Sequence, residues 1–468
     1  MRMRLPGCVL LCSLCLPAST FASTPDFAAA RDEAVEILRD LVRLDTSNPP
    51  GNETLAAEYL EKRLARDGIE ATIVGATPER GNLIARLAGG GKKRPLLLMG
   101  HTDVVGVERD KWTVEPFAGE IRDGYLYGRG AIDDKDSVSA FLVAMLLVHR
   151  AKLPLERDVI YVAEASEEGG ANQFGIGYLI ANHWDAIAAE MALAEGGETV
   201  LRDGNLRYVG VATTEKVPTG MTLTARGTSG HGSVPRPDNP IVHLASAVAK
   251  VGAFRSPMRF NETTREFFGR LATISSADEA ALYRRLEDPQ QSDAAQMELY
   301  RDNLAYHSML RTSISPNVID GGFRYNVIPA EATATLDVRA LPDEDVPMLM
   351  QTLERLIDDP AVELKLRSGG GGRPASPPSP LDGELFRALE RAQQRMYPDA
   401  ITLPMMLTGA TDMAQLRAKG VAAYGISAPG VEGEHRAHGN DERIGIDALG
   451  ELVELVYRVI VDVAAVGD

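Results

Sequence analysis

Cysteine is nearly absent from this 468-residue sequence, because its three cysteines, Cys8, Cys12 and Cys15, all lie close to the N-terminus. Later segments therefore contain no disulfide, no cysteine metal ligand and no cysteine nucleophile. Beyond the N-terminus, no apolar run is long enough to cross a bilayer. Basic residues are outnumbered too, with 49 Lys and Arg against 66 Asp and Glu and a formal charge of −17. Because such a chain cannot neutralise phosphates, we expect no nucleic-acid partner and no anionic membrane surface.

The N-terminus has the pattern of a cleavable export signal. Arg2 and Arg4 make the start basic, Leu5 to Pro17 is mostly apolar, and Thr20 to Ala22 provides small residues for cleavage. A buried N-terminal helix is the alternative interpretation. We expect residues 1–22 to be removed, and the mature protein to be periplasmic or secreted.

Apolar periodicity in the first half of the chain predicts an α/β protein. Helical spacing extends from Phe27 to Asp67 with a break at Asn48–Gly51, and a further helix is predicted over Asp136–Ala151. Short apolar runs predict strands over 83–87, 95–99, 159–163 and 191–194. Strands that alternate with helices favour a sheet with helices on both faces. The length of the chain favours two domains over one simple core.

The pattern changes after Lys216. Strands are predicted over 221–226, 332–339 and 362–366, and a helix over 346–357. Residues 255–309 are polar and mostly helical, whereas the glycines and prolines of 368–380 indicate a linker. We therefore expect a second domain inserted into the first. The predicted boundaries are 1–22 for the signal, 23–215 for the first part of the main domain, 216–372 for the inserted domain and 373–468 for the second part of the main domain.

Two histidines and four acidic residues stand in short segments, most of which follow predicted strands. They are His101, Asp133, Glu167, Glu168, Glu195 and His438. Because ligands of open α/β sheets bind beyond the carboxyl ends of strands, His101, Glu167 and Glu195 can converge there. Imidazole and carboxylate suit zinc. Five such ligands and one spare carboxylate are typical of a two-metal hydrolytic site.

Each segment also has an interpretation without a metal. His101 with Asp103 is commonly a surface pair, and Asp133–Asp134 can be a helix N-cap. Glu167–Glu168 can be an exposed acidic loop, although adjacent carboxylates after a buried strand need a compensating cation. Taken alone, the segments around Glu195, His231 and His438 do not indicate a metal site, because a single carboxylate or histidine in a glycine-rich loop is usually solvated. The combination, rather than any single segment, favours the metal site.

The order and spacing of these segments resemble the zinc aminoacylase/carboxypeptidase family. Its members include bacterial glutamate carboxypeptidase, carboxypeptidase S, acetylornithine deacetylase and succinyl-diaminopimelate desuccinylase. The resemblance extends from about Phe27 to the C-terminus, over segments 99–105, 128–135, 167–169, 195–197, 227–235, 326–329, 337–339 and 438–439. It implies an α/β fold: a discontinuous zinc-peptidase catalytic domain, with a mixed sheet flanked by helices, and an inserted smaller α+β lid domain.

The same resemblance implies two zinc ions per chain, which cobalt or manganese can replace. Asp133 matches the residue that bridges both ions. His101 and Glu195 match the other protein ligands of one ion, and Glu168 and His438 those of the second.

Other positions match residues that act on the substrate. Glu167 matches the general base, and Asp103 the aspartate beside the metal-binding histidine. His231 matches a lid histidine that reaches the scissile carbonyl, in dimeric members from the other subunit. Asn326 and Arg339 match residues that bind the substrate carboxylate, a task for which arginine is a suitable bidentate donor.

Two positions depart from the family pattern. Ser166 stands where members usually have an aspartate before the glutamate pair, and Ala194 stands where an aspartate often precedes the next ligand. The long insertion at 255–309 is similar to the carboxypeptidase S branch. The Asp133–Asp134 peptide matches a bond that is cis in the family.

The sequence therefore predicts a secreted two-zinc metallohydrolase. It would cleave the amide bond of short peptides or N-acyl amino acids that carry a free carboxylate. Three alternatives are a specific deacylase of one metabolite, a non-catalytic binding relative of the fold, and a metal-dependent esterase. The expected partner is the small substrate, and the lid allows a homodimer.

Overall fold

The computed structural model describes residues 25–170, 173–202, 204–367, 373–431 and 436–466, so the predicted signal at 1–22 lies outside them. Among the helices of these ranges, none combines the length and the apolar character needed to cross a membrane. The α-helices are α1 Phe27–Val42, α2 Thr54–Arg66, α3 Lys135–Arg150, α4 Ile176–Asn182, α5 Trp184–Ile187, α6 Pro240–Ala253, α7 Glu262–Leu271, α8 Ala277–Arg285, α9 Ser292–Asp302, α10 Leu304–Met309, α11 Val346–Ile357, α12 Glu384–Met396, α13 Met413–Ala418 and α14 Ile446–Ala464.

Within the described ranges, the strands form four sheets, of ten, five, three and two strands. They are β1 Ala71–Gly75, β2 Gly81–Leu87, β3 Leu96–His101, β4 Glu120–Arg122, β5 Tyr125–Tyr127, β6 Val159–Glu164, β7 Met191–Ala194, β8 Glu198–Arg202, β9 Asn205–Glu215, β10 Val217–Pro218, β11 Met221–Arg226, β12 Gly230–His231, β13 Ser313–Gly321, β14 Val327–Ile328, β15 Glu331–Ala340, β16 Val362–Leu366, β17 Ile401–Leu407, β18 Ala422–Gly425, β19 Pro429–Val431 and β20 Arg443–Gly445.

The ten-stranded sheet is mixed and central. Its order is β1-β2-β6-β3-β7-β18-β9-β8-β19, with β17 paired to β9. The neighbours β6, β3, β7 and β18 are parallel, so their carboxyl ends meet at one edge. Helices cover both faces of this sheet, and the predicted fold class, a mixed α/β catalytic domain with a smaller α+β lid, is confirmed.

Side chains of the parallel strands alternate between two apolar cores. Leu96 and Leu98 of β3 pack with α1, α3, α12 and α14, whereas Leu97 and Met99 belong to the core on the other face. Because both faces are covered, β3 has a continuous apolar run instead of an apolar–polar alternation. This double burial explains why short apolar runs in the sequence mark these strands.

The five-stranded sheet is antiparallel and separate. In it β15 pairs with β10, β11 and β13, and β16 pairs with β11. One apolar cluster joins this sheet to α6 and α11. The two-stranded sheet β12–β14 comes from the same part of the chain, because β12 follows β11 and β14 precedes β15. We call the five-stranded sheet, α6, α11 and the β12–β14 pair the lid.

The helical insertion, α7 to α10, packs where the sequence did not lead us to expect it. The prediction assigns residues 255–309 to the inserted domain, but Phe267, Phe268 and Leu271 of α7 lie in the same core as one face of the large sheet. The Nη1 of Arg270 also donates to the backbone oxygen of Thr402 in β17, at 2.9 Å. Periodicity shows that a helix has an apolar face, but it does not show which sheet covers that face.

Candidate metal centre

The candidate residues lie at the carboxyl edge of the large sheet. β3 ends at His101, β6 ends shortly before Glu167, and β7 ends directly before Glu195. A glycine is required beside this edge, because a Cβ at Gly100 would lie 2.9 Å from Oδ2 of Asp134 in the loop before α3. The parallel strands and the close approach of α3 thus bring distant segments to one place.

Asp133 lies between two histidines from distant parts of the chain. Its Oδ1 is 3.1 Å from Nε2 of His101, and its Oδ2 is 3.2 Å from Nε2 of His438. Oε1 of Glu168 lies 2.8 Å from the same His438 nitrogen. The Asp133–Asp134 peptide is cis. A carboxylate whose two oxygens face two imidazoles has the geometry of a ligand shared by two ions.

Two further carboxylates complete the cluster. Oε2 of Glu195 lies 3.9 Å from Nε2 of His101. The nearest ligand atoms of His101, Glu167 and Glu195 all lie within 4.8 Å of one another, and those of His101, Asp133 and Glu168 form a second such group. The structure thus brings together all six residues that the sequence analysis selected.

Asp103 connects the histidine to the glutamate pair. Its backbone oxygen lies 3.0 Å from Nδ1 of His101. Its carboxylate accepts hydrogen bonds from the backbone N–H groups of Glu167, at 3.0 Å, and Glu168, at 3.1 Å. Asn48 donates to the same carboxylate at 2.8 Å. Asp103 therefore orients both the imidazole and the turn that carries the two glutamates.

The histidines show how strongly this cluster attracts positive charge. Burial lowers the pKa of His101, but hydrogen bonds with Asp103 and Asp133 oppose it, so the pKa is raised well above its usual value. Hydrogen bonds with Asp133 and Glu168 raise the pKa of His438 to about 10. Both shifts come from the carboxylates that surround the imidazoles, and these carboxylates would equally attract a bound cation.

The glutamates show the same excess of negative charge. Burial raises the pKa of Glu167 well above its usual value, against the opposing charge of Arg373. Burial, followed by the charge of Glu167, raises the pKa of Glu195. Several buried carboxylates around two histidines need compensation by cations. Since the donors are imidazole nitrogens and carboxylate oxygens, the residues fit a pair of divalent ions such as zinc.

A buried ion pair holds the Asp133 and His438 loops together. Arg129 contacts the carboxylate of Glu442, whose Oε1 accepts from the backbone N–H of Ile132 at 3.0 Å. Arg129 also donates to the backbone oxygen of His438 at 3.4 Å. Because these contacts involve the residue before Asp133 and His438 itself, the pair fixes the spacing of the two ligands.

Arg373 is a site residue that the sequence analysis missed. It contacts the carboxylate of Glu167, and it donates to the Glu167 backbone oxygen at 3.2 Å. Its Nε donates to Oδ1 of Asp412 at 3.3 Å. The residue directly follows the glycine run that we interpreted only as a linker. The sequence feature that could have drawn attention to Arg373 is its position as a single arginine directly after four glycines.

Two of the lid residues, His231 and Asn326, lie together at the β12–β14 pair. His231 is exposed on β12, and its Nδ1 accepts from the backbone N–H of Ser233 at 3.1 Å. Asn326 precedes β14, and its backbone oxygen accepts from the N–H of Gly232 at 2.8 Å. Within the described ranges, no hydrogen bond or ion pair joins His231 or Asn326 to the metal cluster.

Arg339 occupies a different part of the lid. Its Nε donates to Oδ1 of Asp337 at 2.8 Å, and its side chain is 35% exposed. Its cross-strand neighbour Ser313 accepts a hydrogen bond from Nζ of the buried Lys216 at 3.1 Å. Burial, and then the charge of Arg339, lower the pKa of Lys216 to about 7. Arg339 thus lies in a cationic part of an acidic protein.

The two departures from the family pattern have structural settings of their own. Ser166 is buried and has a φ of 68°, a region in which aspartate is more common than serine. Ala194 is buried in the apolar core at the end of β7, beside Gly425 of β18. A carboxylate at that position would enter this apolar contact.

Comparison with known proteins agrees with this fold and cluster. A family model described as peptidase family M20/M25/M40 matches residues 97–462. The chain is 28% identical over 375 residues to the N-fatty-acyl-amino acid synthase/hydrolase of Homo sapiens, covering 78% of this chain and 74% of that protein. It is 27% identical over 441 residues to a succinyl-diaminopimelate desuccinylase of Cereibacter sphaeroides, covering 92% of this chain and 98% of that protein.

A solved structure shows the same fold. The M20 family metallo-carboxypeptidase of Sulfolobus solfataricus has a TM-score of 0.68 at 19% identity, covering 92% of this chain and 98% of that chain. The predicted resemblance to the zinc aminoacylase/carboxypeptidase family is confirmed. Because the matched segment spans most of the sequence, the protein belongs to the peptidase family M20/M25/M40 and is a metal-dependent hydrolase.

Proposed function

We propose that the protein is an exported two-zinc amidohydrolase. Its substrates would be short peptides or N-acyl amino acids with a free carboxylate. The observation that carries the proposal is Asp133, whose two oxygens lie 3.1 and 3.2 Å from the imidazoles of His101 and His438. Relatives named as a metallo-carboxypeptidase and as an N-fatty-acyl-amino acid hydrolase support the substrate class.

The five proposed ligands divide between two ions. Asp133 would be shared, His101 and Glu195 would complete one set, and Glu168 and His438 would complete the other. Zinc suits these donors, and cobalt or manganese can occupy the same ligands. Two such cations would supply Lewis-acid polarisation of the substrate carbonyl and of the attacking water.

Glu167 performs the proton transfer. It takes a proton from the attacking water and returns it to the leaving amine, as a general base and then a general acid. Arg373 holds its carboxylate, and Asp103 holds the backbone of the Glu167–Glu168 turn. These contacts support Glu167, rather than Glu168, as the proton carrier, since Glu168 faces His438 instead.

The lid provides the groups that recognise the rest of the substrate. The family resemblance assigns Arg339 and Asn326 to the free carboxylate, although they lie in different parts of the lid, and His231 to the charge that develops on the carbonyl oxygen. The lid must approach the large sheet to do so, because these residues lie outside the cluster. Such closure is a gating motion.

An exposed apolar surface supports a homodimer through the lid. Phe323 is 85% exposed and Tyr325 is 98% exposed, directly before Asn326. Val318 and Ile319 of the neighbouring β13 are also exposed, at 58% and 61%. Contiguous exposed apolar side chains mark interaction surfaces.

The boundaries 23–215, 216–372 and 373–468 stay a proposal for the order of the segments along the chain, with α7 to α10 of the inserted segment packed on the large sheet. The N-terminal pattern of residues 1–22 supports export. Export also argues against a deacylase of one biosynthetic intermediate, because such pathways run in the cytoplasm.

The proposal is tested with purified mature protein. Elemental analysis is expected to approach two divalent ions per chain, and a panel of dipeptides and N-acyl amino acids is assayed with zinc, cobalt and manganese. Hydrolysis that chelation abolishes and zinc restores supports the proposal. One ion at saturation would contradict the bridging role of Asp133. Hydrolysis of a single metabolite alone would favour the specific deacylase.

A further inference from the structure

A cavity of about 150 Å³ lies beside the metal cluster. It is bounded by the N-terminal turn of α3 and by the segments that follow β7 and β18. Asp133 and Glu195 form part of its wall, and so does Ala437, the residue before His438. An occupant of this cavity therefore lies against the reacting centre.

Small residues create this space. Gly196, Gly197, Ala428 and Gly430 line the cavity. A Cβ at Gly430 would have no heavy atom within 4 Å, whereas a Cβ at Gly197 would lie 2.6 Å from the backbone oxygen of Gly210. The position at Gly430 is thus open, and a side chain introduced at this lining residue displaces no backbone.

Much of the wall is apolar. Ile132, Val200 and Ile426 contribute aliphatic side chains. Thr199 and Ser427 satisfy each other, since Thr199 donates its N–H to Ser427 Oγ at 3.2 Å and its hydroxyl to the Ser427 backbone oxygen at 3.3 Å. Polar groups that are already paired offer little to a polar occupant.

Within the described ranges, the charged residues that line the cavity are all acidic. Asp134, Asp136 and Glu198 line the cavity together with the two candidate ligands, and none of the described lining residues is basic. Away from the two proposed metal ligands, a carboxylate in the cavity would face Asp134, Asp136 and Glu198, so it would be repelled and would lose its solvation. The cavity therefore suits an uncharged group.

We propose that this cavity receives the acyl-side group of the substrate, as an uncharged apolar group of up to about six non-hydrogen atoms. An apolar cavity of this volume binds a molecule of the size of benzene. The inference rests on the proposed function and narrows it, because fatty-acyl chains are too long and a succinyl group is anionic. It separates this chain from relatives whose names specify those two acyl groups.

The acyl preference is tested with one amino acid carrying a series of acyl groups. For acetyl, butanoyl and hexanoyl substrates, kcat/KM is expected to rise about fourfold per added methylene. For decanoyl and succinyl substrates it is expected to fall below the hexanoyl value. Equal or better hydrolysis of either group would overturn the inference.

A variant tests the position of the acyl group. Gly430→Leu is expected to lower the ratio of hexanoyl to acetyl kcat/KM by about tenfold or more, as in overpacked sites. Gly269→Leu is the matched control, since a Cβ at Gly269 of α7 also meets no atom within 4 Å, but on a remote helix. A ratio unchanged by Gly430→Leu, or changed equally by both, would contradict the assignment.

A binding measurement separates this inference from the proposed function. Calorimetry of the metal-free protein is expected to detect hexanamide but not decanamide or hexanoate, and Gly430→Leu is expected to abolish the signal. If no substrate is hydrolysed but hexanamide binds, the proposed function fails and the cavity assignment stands. If amides are hydrolysed but hexanamide does not bind, the cavity assignment fails alone.

Discussion

The metal cluster and the lid hold their chemical side chains in different ways. Asp133 and Glu167 are fixed by partners from distant segments, including His438 and Arg373. His231, in contrast, is exposed and has a partner two residues away. Among the described residues, the ion pair of Arg339 is likewise local, with Asp337 of its own strand.

Because the cluster is held by long-range contacts and the lid residues by local ones, we expect the two regions to control different properties of the enzyme. A group that the fold already fixes is ready before the substrate arrives, and its loss removes metal or chemistry. A group on the lid acts only after the lid closes. Its loss is therefore expected to change KM or kcat and to leave the metal content unchanged. Substitutions in the two regions should therefore separate metal content from KM and kcat.

The strongest test of the fixed region is Asp133→Ala. Removal of the shared carboxylate is expected to lower the content of both ions and reduce activity to the assay background. Elemental analysis of the variant measures the loss. Asp158→Ala, which removes the partner of Arg86 at 2.6 Å, is the control and is expected to keep both ions. Loss of one ion alone would mean that Asp133 is not shared.

Glu167→Gln is expected to lower kcat by about 100- to 10,000-fold while the metal content stays at the wild-type value. The glutamine keeps the shape of the side chain but cannot carry the proton. Glu168→Gln is the matched neighbour and is expected to lose metal. If the two variants exchanged these phenotypes, the roles within the pair would be reversed.

His231→Ala is expected to lower kcat by about 100- to 1,000-fold, because it removes a donor to charge that forms in the transition state. Metal content is expected to stay unchanged, in contrast to the substitutions in the cluster. Steady-state kinetics with saturating zinc provides the measurement. A variant that lost metal would place His231 among the ligands and remove the contrast between the regions.

Arg339→Ala is expected to raise KM for substrates with a free carboxylate by about 10- to 100-fold, the value of a hydrogen bond to a charged group. Their C-terminal amides are expected to change little. Arg236→Ala is the control, since Arg236 also pairs with a carboxylate two residues away on the lid, at 3.0 Å. Equal weakening of acids and amides would contradict the anchor role.

The smallest effect concerns the lid surface. Phe323→Ser combined with Tyr325→Ser is expected to shift a dimer towards monomer in sedimentation velocity, with the metal content unchanged. Leu304→Ser, on the insertion, removes another exposed apolar residue and is the control. A protein that is monomeric before substitution would rule out the proposed interface.

Local patterns were sufficient to predict the elements near the site. The strand predicted at 191–194 is β7, the helix at 346–357 is α11, and the strand at 362–366 is β16. His101, Glu167 and Glu195 each stand at the end of a strand or within a few residues of it, so the pattern that predicts the strand also locates the ligand. Parallel pairing then makes convergence at one edge a consequence of the fold class.

Long-range partners could not be predicted in this way. Arg373 contacts Glu167 across 206 positions of the sequence, and nothing near Arg373 marks that partner. Phe267 and Phe268 indicate an apolar helix face, but the large sheet that covers it is formed by strands far away in the chain. Periodicity reports what a segment buries, whereas the receiving surface depends on the assembled fold.

The packing of α7 to α10 has a consequence for recombination between members of the family. Among the described residues, the chain passes between the large sheet and the lid near 215–217, 254–262 and 309–313, and the last strand of the lid ends at Leu366. An exchange of all residues from 216 to 372 would carry the insertion away and leave one core of the recipient sheet uncovered. A chimera that exchanges only 217–253 and 313–366 would transplant substrate recognition while each sheet keeps its own helices.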